Sequence, residues 1–256
     1  MRVAISAGAS GIGKAIAGSF AGQGAQVYVC DVDPAAVAWC NDNLPGVVAV
    51  EADVADPSSV DAFFDRIAAD GDTLDILVNN AGIAGPTGPI ETLDVDEWRK
   101  TIDIDLNSFF YCARRAIPLL RANGGGSVVN MASNVAFHGF PLRSPYTASK
   151  WAIIGLTKTM AMELGPDGIR VNALCPGSVE GPRIDRVIEK DAACRGRTVE
   201  QVEAEYKSQS SLRTFARNED IVAMVQFLCS PAGERISGQA IGIDGHTEGL
   251  SLRMDN

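Results

Sequence analysis

The chain has 256 residues and a formal net charge of −10, with 46% hydrophobic and 21% charged residues. That composition is typical of a globular protein, and the length suits one domain with a substantial core. The negative charge argues against nucleic acid or an anionic membrane as a partner, and no apolar run is long enough to span a bilayer. Because Met1-Arg2-Val3 leads directly into a predicted strand, we expect no signal peptide, and the six scattered cysteines are typical of a reduced, cytoplasmic protein.

Short apolar runs alternate along the chain with helical patterns. Predicted strands cover 2–6, 26–30, 47–51, 74–78, 126–131, 169–174 and 240–243, and predicted helices lie near 12–23, 57–69, 97–121, 145–164 and 218–229. This alternation predicts an α/β fold: a Rossmann-like, doubly wound parallel sheet of about seven strands with helices on both faces. We expect a single domain over 1–256, in which the charged stretch 181–216 breaks the alternation.

The first predicted strand leads into a glycine-rich turn and a helix. The turn contains Ser6, Gly8, Ser10, Gly11, Ile12 and Gly13. Strand, glycine-rich turn and helix form the context of a dinucleotide site, since glycines let the backbone approach a pyrophosphate and the helix N-terminus offers free N–H groups.

An acidic residue, Asp31, ends the second predicted strand eighteen positions after Gly13. This is close to the spacing of about twenty that is typical of dinucleotide sites. A carboxylate there can accept both ribose hydroxyls and repels a 2′-phosphate, so the position indicates NAD rather than NADP.

Tyr146 and Lys150 stand four residues apart, and Ser133 lies thirteen positions before the tyrosine. Residues i and i+4 share one face of a helix, which Ser144 can cap and Pro145 can begin. An ammonium near a phenol lowers its pKa, so the pair suits general acid/base catalysis near neutrality, with a serine hydroxyl to hold the substrate oxygen.

Together these motifs resemble the classical short-chain dehydrogenase/reductase family over nearly the whole chain. They occur in the family's order: Gly11-Ile12-Gly13, Asp53-Val54, Asn79-Asn80-Ala81-Gly82, Ser133, Tyr146 with Lys150, and Pro176-Gly177.

The resemblance implies an enzyme that interconverts a secondary alcohol and its carbonyl. It implies that Tyr146 transfers the proton, that Ser133 hydrogen-bonds the substrate oxygen, and that Lys150 binds the nicotinamide ribose. The implied contacts of the NAD cofactor are Ser6, Gly8, Ser10, Gly11, Ile12, Gly13, Asp31, Asp53, Val54, Asn80, Ala81, Gly82, Tyr146, Lys150, Pro176, Gly177 and Val179. It also implies that 181–216 covers the substrate, and that the chain forms a homotetramer through 237–245 and its long helices.

The sequence departs from the family pattern at three positions. Ala7 stands in the first turn where glycine is usual, and Gly181 where a threonine after Pro176-Gly177 is usual. The third is Asp105, at the position of the catalytic asparagine, whose backbone carbonyl in the family holds a relay water. We expect Asp105 to keep that backbone role.

The substrate class stays open at this stage: a sugar, a sugar acid, a hydroxy acid or a small cyclic alcohol. Arg143 lies just before the catalytic tyrosine, and eight basic residues follow between Gly181 and Arg217. An arginine near the pocket can clamp an anion, whereas a salt-bridged, solvated helical face explains most of this charge pattern equally well.

Two other functions are kept as alternatives. One is a carbonyl or 3-oxoacyl reductase, against which Ser10 and Val32 argue because NADP-dependent members carry basic residues there. The other is a non-catalytic NAD-sensing protein. We expect no metal, since the chain has only two histidines and its six cysteines form no Cys-x-x-Cys pair.

Overall fold

The computed structural model describes residues 1–247 and 249, so the last part of the domain predicted over 1–256 lies outside the described residues. Its centre is a seven-stranded parallel sheet in the order β3-β2-β1-β4-β5-β6-β7. The strands are β1 (Arg2–Ser6), β2 (Gln26–Asp31), β3 (Val47–Glu51), β4 (Ile76–Asn79), β5 (Gly126–Met131), β6 (Ile169–Pro176) and β7 (Ala240–Ile243). The predicted doubly wound sheet is confirmed.

Helices cover both faces of the sheet. They are α1 (Gly11–Gly22), α2 (Pro34–Asn43), α3 (Pro57–Ala69), α4 (Val95–Ile102), α5 (Ser108–Ala122), α6 (Ser144–Leu164), α7 (Pro182–Arg195), α8 (Val199–Ser208) and α9 (Asn218–Cys229). Apolar residues of α1 and α9, such as Phe20 and Leu228, fill one face. Phe64 of α3 and Leu120 of α5 fill the other.

Three sequence predictions of helices need correction. The helix α2 was not predicted; Asp33 caps it and Pro34 begins it, but only Val37 and Cys40 are buried, so its apolar pattern is weak. The helix predicted over 97–121 is interrupted by a π-helical turn, Asp103–Asn107. Ser144 is the first residue of α6 rather than its cap; Arg143 takes the cap position and makes no side-chain capping bond.

The sheet order brings the site together. The strand β1 lies between β2 and β4, so the chain reverses its direction of winding there. Ligands of open α/β sheets bind in the crevice beyond the carboxyl ends of the strands at such a reversal. The turns after β1, β2, β4, β5 and β6 therefore face one region.

The segment 181–216 contains α7 and α8, which share a small apolar core of their own. Ile184, Ile188, Val202, Tyr206 and Phe215 are buried in it. Among residues 1–247 and 249, no helix has both the length and the apolar character needed to cross a membrane.

Candidate active site

The glycine-rich turn after β1 is held close to two neighbouring strands. The Gly8 N–H donates to the Cys30 carbonyl of β2 at 3.0 Å. A Cβ on Gly8 would lie 2.6 Å from the Val29 side chain, and one on Gly13 would lie 2.4 Å from the Ala7 carbonyl oxygen. Real Cβ atoms do not come this close, so both positions require glycine.

The turn forms with alanine at the position where the family has glycine. Ala7 takes a φ of 49°, and Gly11 takes a φ of 51°. The left-handed region costs an L-residue roughly 1 kcal/mol or more, so Ala7 is a strained but tolerated member of the turn. Ser10 is the N-terminal cap residue of α1, without a side-chain capping bond.

Ser6 and Asn80 connect the turn to the end of β4. The Ser6 hydroxyl accepts from the N–H groups of Asn80 at 3.0 Å and Ala81 at 3.2 Å. The Asn80 side-chain amide donates to the Ala7 carbonyl at 2.9 Å and the Ser6 carbonyl at 3.2 Å. These bonds fix the turn against β4, and Ala81 is buried in the core as part of that support.

Asp31 ends β2 with its carboxylate against the glycine-rich turn. Its Oδ2 accepts from the Ala9 N–H at 3.2 Å, and its Oδ1 accepts from the Asp33 N–H at 3.3 Å. Each carboxylate oxygen has two acceptor sites, so one on each oxygen is left for a further donor. The geometry suits acceptance of paired hydroxyl groups.

Asp53 and Val54 follow β3 at the same edge of the sheet. The Ala52 N–H donates to the Asp31 carbonyl at 3.0 Å, which brings this turn next to the end of β2. Asp53 is exposed and Val54 is buried. The pair therefore borders the region in which Asp31 lies.

Tyr146 and Lys150 lie one turn apart on α6, as predicted. The Lys150 ammonium is 5.7 Å from the centre of the Tyr146 ring and donates to the Met131 carbonyl at 3.2 Å. Lys150 is almost fully buried, while Tyr146 is partly exposed. The spacing of four residues thus places the two side chains on one face of α6.

Asp105 lies inside the π-helical turn and faces Lys150. Its Oδ2 is 3.7 Å from the Lys150 Nζ, and its Oδ1 accepts from the Ile83 N–H at 2.7 Å. Burial raises the pKa of the Asp105 carboxyl above its usual range, while the charge of Lys150 opposes that rise. The helix is thus distorted at the position of the family's asparagine, with aspartate in its place.

Ser133 follows β5 and begins a short 3₁₀ turn. Its hydroxyl approaches Asn134 Oδ1 at 3.3 Å and the Pro176 carbonyl at 3.5 Å. These contacts are long, so the hydroxyl is available to a ligand oxygen in the cleft.

Pro176 and Gly177 lie at the end of β6, against β7. A Cβ on Gly177 would lie 2.8 Å from the Asp244 side chain, so the close approach requires glycine. Val179 and Ala216 form a parallel β-bridge. Its backbone hydrogen bonds join Ala216 to the residues just before and just after Val179. In such a bridge the amide and carbonyl of Val179 itself point the opposite way. Gly181, where the family's threonine is absent, has a φ of 130° and precedes α7.

A cleft of about 1090 Å³, open to solvent, lies beyond the strand ends. Of the predicted residues it is lined by Ile12, Asn80, Gly82, Ser133, Tyr146, Lys150, Pro176, Gly177 and Val179. The remaining predicted residues lie outside its lining: Ser6, Gly8, Ser10, Gly11, Gly13, Asp31, Asp53, Val54, Ala81 and Asp105. The structure therefore separates this cleft from the turn and strand ends around Asp31.

Several lining residues were missed by sequence reasoning. They are Asn134, Phe140, Tyr206, Gln209, Thr214, Phe215 and Thr247. Phe140, Tyr206 and Phe215 belong to the small apolar core formed with the segment 181–216. Their apolar character was the one signal in the sequence that could have indicated them. Asn134 donates to the Thr247 hydroxyl at 2.9 Å across 113 positions of sequence, a contact that no local pattern marks.

Several charges of the segment 181–216 are paired. Arg195 and Arg197 contact Glu205, and Lys207 contacts Glu203. Arg183 lies at the cleft and donates to the Gly82 carbonyl at 3.2 Å. Salt bridges on this face thus account for part of the charge pattern of the segment.

Comparisons with known proteins agree with this geometry. The family described as enoyl-(acyl carrier protein) reductase matches residues 6–247. The cis-4-hydroxycyclohexanecarboxylate dehydrogenase of Sinomonas cyclohexanicum is 36% identical over 95% of this chain and 95% of its own. The 2-dehydro-3-deoxy-L-rhamnonate dehydrogenase (NAD(+)) of a Sphingomonas species is 38% identical over 72% of this chain and 74% of its own.

A solved structure of actinorhodin polyketide ketoreductase with NADPH is also similar. Its TM-score is 0.90 at 26% identity, and the match covers 95% of this chain and 96% of that one. The family match spans the glycine-rich turn, Ser133, Tyr146, Lys150 and the segment 181–216. The chain therefore belongs to the short-chain dehydrogenase/reductase family, whose oxidoreductases interconvert a CH–OH group and its carbonyl.

Proposed function

We propose that the protein is an NAD-dependent dehydrogenase that oxidises a secondary alcohol of a small polar molecule to its carbonyl. The observation that carries the proposal is the shared cleft of Ser133, Tyr146 and Lys150, next to a turn with a carboxylate at Asp31. The family membership supplies the reaction class, and the residues of this chain support the choice of coenzyme.

The residues around the glycine-rich turn fit a dinucleotide. Gly8 and Gly13 leave a cradle that a single Cβ would fill, and α1 directs its free N–H groups toward it. Asp31 provides the acceptor for ribose hydroxyls, and Asp53-Val54 borders the same edge. The Val179 backbone faces away from Ala216 and is available to a carboxamide. When bound, NAD supplies the hydride acceptor of the reaction.

In the proposed reaction Tyr146 transfers the proton, Ser133 positions the substrate oxygen, and Lys150 lies beside Tyr146. Tyr146 Oη takes the hydroxyl proton of the substrate, and the Lys150 ammonium lies 5.7 Å from the centre of the Tyr146 ring. Ser133 donates to the substrate oxygen and fixes its position. Lys150 is held in turn by the Met131 carbonyl and by Asp105.

The preference for NAD rests on charge at the end of β2. A 2′-phosphate placed at Asp31 meets a carboxylate that has one N–H donor on each oxygen. Ser10 and Val32 supply no cation there. The relative named for NAD(+) supports this choice, while the ketoreductase solved with NADPH shows that the fold accepts either coenzyme.

The alternative is a carbonyl or 3-oxoacyl reductase, which the ketoreductase likeness and the family description favour. A non-catalytic NAD-sensing protein is the weaker alternative, because Ser133, Tyr146 and Lys150 all line the cleft.

Both dehydrogenase relatives are named for substrates that carry a carboxylate, which favours a hydroxy acid over a neutral alcohol.

The experiment is a screen of secondary alcohols, sugar acids and hydroxy acids with NAD and with NADP, followed by NADH or NADPH absorbance. We expect turnover with NAD at a higher kcat/KM than with NADP. Asp31→Ala should relax this preference, whereas Asp42→Ala, which removes an exposed carboxylate from α2, should not. Tighter binding of NADP than of NAD by the unmutated protein would reject the coenzyme assignment.

We also propose a cytoplasmic homotetramer in which 181–216 acts as a mobile cover over the substrate. The support for assembly is the edge position of β7, together with large exposed apolar side chains on the long helices α5 and α6. The support for the cover is that α7 and the segment after α8 contribute residues to the cleft.

A further inference from the structure

Arg143 is a buried cation that lines the catalytic cleft. Its side chain lies over the Tyr146 ring, with Cζ 5.4 Å from the ring centre, and the residue is only 5% exposed. Nη2 donates to the Ala84 carbonyl at 2.7 Å. Arg143 therefore places a positive charge next to the proposed proton acceptor.

This charge has no counter-charge among residues 1–247 and 249. No carboxylate lies within 4 Å of the guanidinium, and Asp191, a buried acid of the covering segment, is paired with Arg195 at 3.4 Å. The Arg143 Nε is buried without a hydrogen-bond partner. An arginine removed from water is normally paired, because an uncompensated buried charge is strongly destabilising.

A second donor in the cleft is also unpartnered. The Gln209 side-chain nitrogen is buried without an acceptor, and Gln209 lines the same cleft just after α8. Tyr206, one turn earlier, packs edge-on against Phe140, and both rings line the same cleft as Arg143. Two donors that lack acceptors, one of them cationic, match the two oxygens of a carboxylate.

We propose that Arg143 binds a carboxylate of the substrate, with Gln209 as a second donor, so that the enzyme acts on a short hydroxy acid. This proposal rests on the proposed dehydrogenase function and narrows its substrate class. A guanidinium over the Tyr146 ring places the carboxylate close to the reacting hydroxyl. Arg183, exposed at the rim and bonded to Gly82, is not required.

The kinetic experiment compares two alcohols on one ring, cis-4-hydroxycyclohexanecarboxylate and cyclohexanol, with the wild type, Arg143→Gln and Arg143→Lys. We expect Arg143→Gln to lower kcat/KM for the acid by at least about 30-fold, mainly through KM, as expected for loss of a charged hydrogen bond. The neutral alcohol should change by less than about threefold. Arg143→Lys should restore part of the loss for the acid. The control is Arg186→Gln, which removes an exposed charge of α7 outside the cleft and should affect neither substrate.

A binding experiment separates this proposal from the dehydrogenase function. Calorimetry in the presence of NAD measures the binding of cyclohexanecarboxylate, butyrate and gluconate, and circular dichroism confirms that each variant is folded. We expect at least one carboxylate to bind the wild type and to lose affinity by at least about tenfold in Arg143→Gln. Equal losses for the acid and cyclohexanol, or no carboxylate binding at millimolar concentration, overturns the role of Arg143. Carboxylate binding without turnover of any alcohol supports Arg143 and instead rejects the dehydrogenase function.

Discussion

The Asp105 carboxylate lies against the Lys150 ammonium, with Oδ2 3.7 Å from Nζ, and both side chains are buried. The two residues come from different helices, 45 positions apart in sequence. Asp105 Oδ1 also accepts from the Ile83 N–H, just after the turn that ends β4. The carboxylate thus connects the π-helical turn, the turn after β4 and Lys150.

The first prediction is that Asp105→Asn changes kcat by less than about tenfold, equivalent to about 1.4 kcal/mol of barrier. An amide oxygen can still accept from Ile83 and leave the turn in place. Loss of the negative charge removes an attraction to the Lys150 ammonium and also removes a repulsion of negative charge on the reacting oxygen, and these effects oppose each other. The measurement is the pH profile of kcat, with Asp103→Asn as a control because Asp103 contacts Asn107 instead. A hundredfold loss in Asp105→Asn would show that the carboxylate itself takes part in proton transfer.

The second prediction concerns stability and pH. Burial raises the pKa of the Asp105 carboxyl, so the folded state favours its protonated form. An acid of this kind contributes its full stability below its unfolded pKa of about 3.9 and loses it as the pH rises through the folded value. The free energy of unfolding of Asp105→Asn, relative to wild type, should therefore increase as the pH rises above about 4. Urea unfolding between pH 4 and pH 8 measures the difference; a difference that shrinks with rising pH would be inconsistent with a raised pKa.

The third prediction separates the roles of Tyr146 and Lys150. Tyr146→Phe should lower kcat by at least about 100-fold, within the range of general acid/base catalysis, while the dissociation constant of NAD stays nearly unchanged. Lys150→Ala should weaken both turnover and NAD binding. It also leaves Asp105 buried without its counter-charge, so the midpoint of thermal unfolding should fall. Near-normal turnover by Tyr146→Phe on the natural substrate would show that another group transfers the proton.

The fourth prediction is a tetramer at micromolar concentration by multi-angle light scattering. Phe110 on α5 and both Trp151 and Met162 on α6 are at least half exposed, and Met162 reaches 81%. Burial of such side chains between subunits is favourable, and the edge strand β7 gains cover at the same time. A mass of a single chain across the accessible concentration range would refute the assembly.

The sheet was predictable because its central strands are buried on both faces. Such strands read as continuous apolar runs, as in Val27-Tyr28-Val29-Cys30 of β2, and all seven predicted strands are present. Helix α2 was missed because only two of its residues are buried. The break between α4 and α5 was missed because a π-helical turn changes the hydrogen bonding without changing the apolar spacing.

The motifs of the site were recognisable in the sequence, but their contacts were not. The i, i+4 spacing placed Tyr146 and Lys150 together, since both lie on one helix. The Asp105–Lys150 pair and the Asn134–Thr247 bond join distant segments, and only the fold brings them together. Arg143 is one of many charged residues in the sequence. Only the structure distinguishes it from the others, because it shows that Arg143 is buried without a counter-charge.

The last prediction tests whether the glycine-rich turn must stay free of side chains to bind NAD, and it does so by replacing two glycines of α1 with alanine. A Cβ on Gly13 would lie 2.4 Å from the Ala7 carbonyl oxygen and 2.9 Å from the Gly8 Cα, both of which are backbone atoms that cannot rotate away. Gly13→Ala should therefore destabilise the fold by about 1–3 kcal/mol through overpacking and weaken NAD binding at least about tenfold. A Cβ on Gly22, at the end of the same helix, meets nothing within 4 Å. Gly22→Ala should leave NAD affinity unchanged and stabilise the helix by up to about 1 kcal/mol.

Thermal unfolding with and without NAD, together with NAD titration, measures both effects of these two substitutions. For a chain of this size 1 kcal/mol corresponds to about 2–4 °C in Tm, so the two variants should shift Tm in opposite directions. The addition of NAD should raise the Tm of Gly22→Ala as much as that of the wild type, because ligand bound only to the folded state stabilises it. It should raise the Tm of Gly13→Ala much less. Equal responses of the two variants to NAD would mean that the dinucleotide does not bind against this turn.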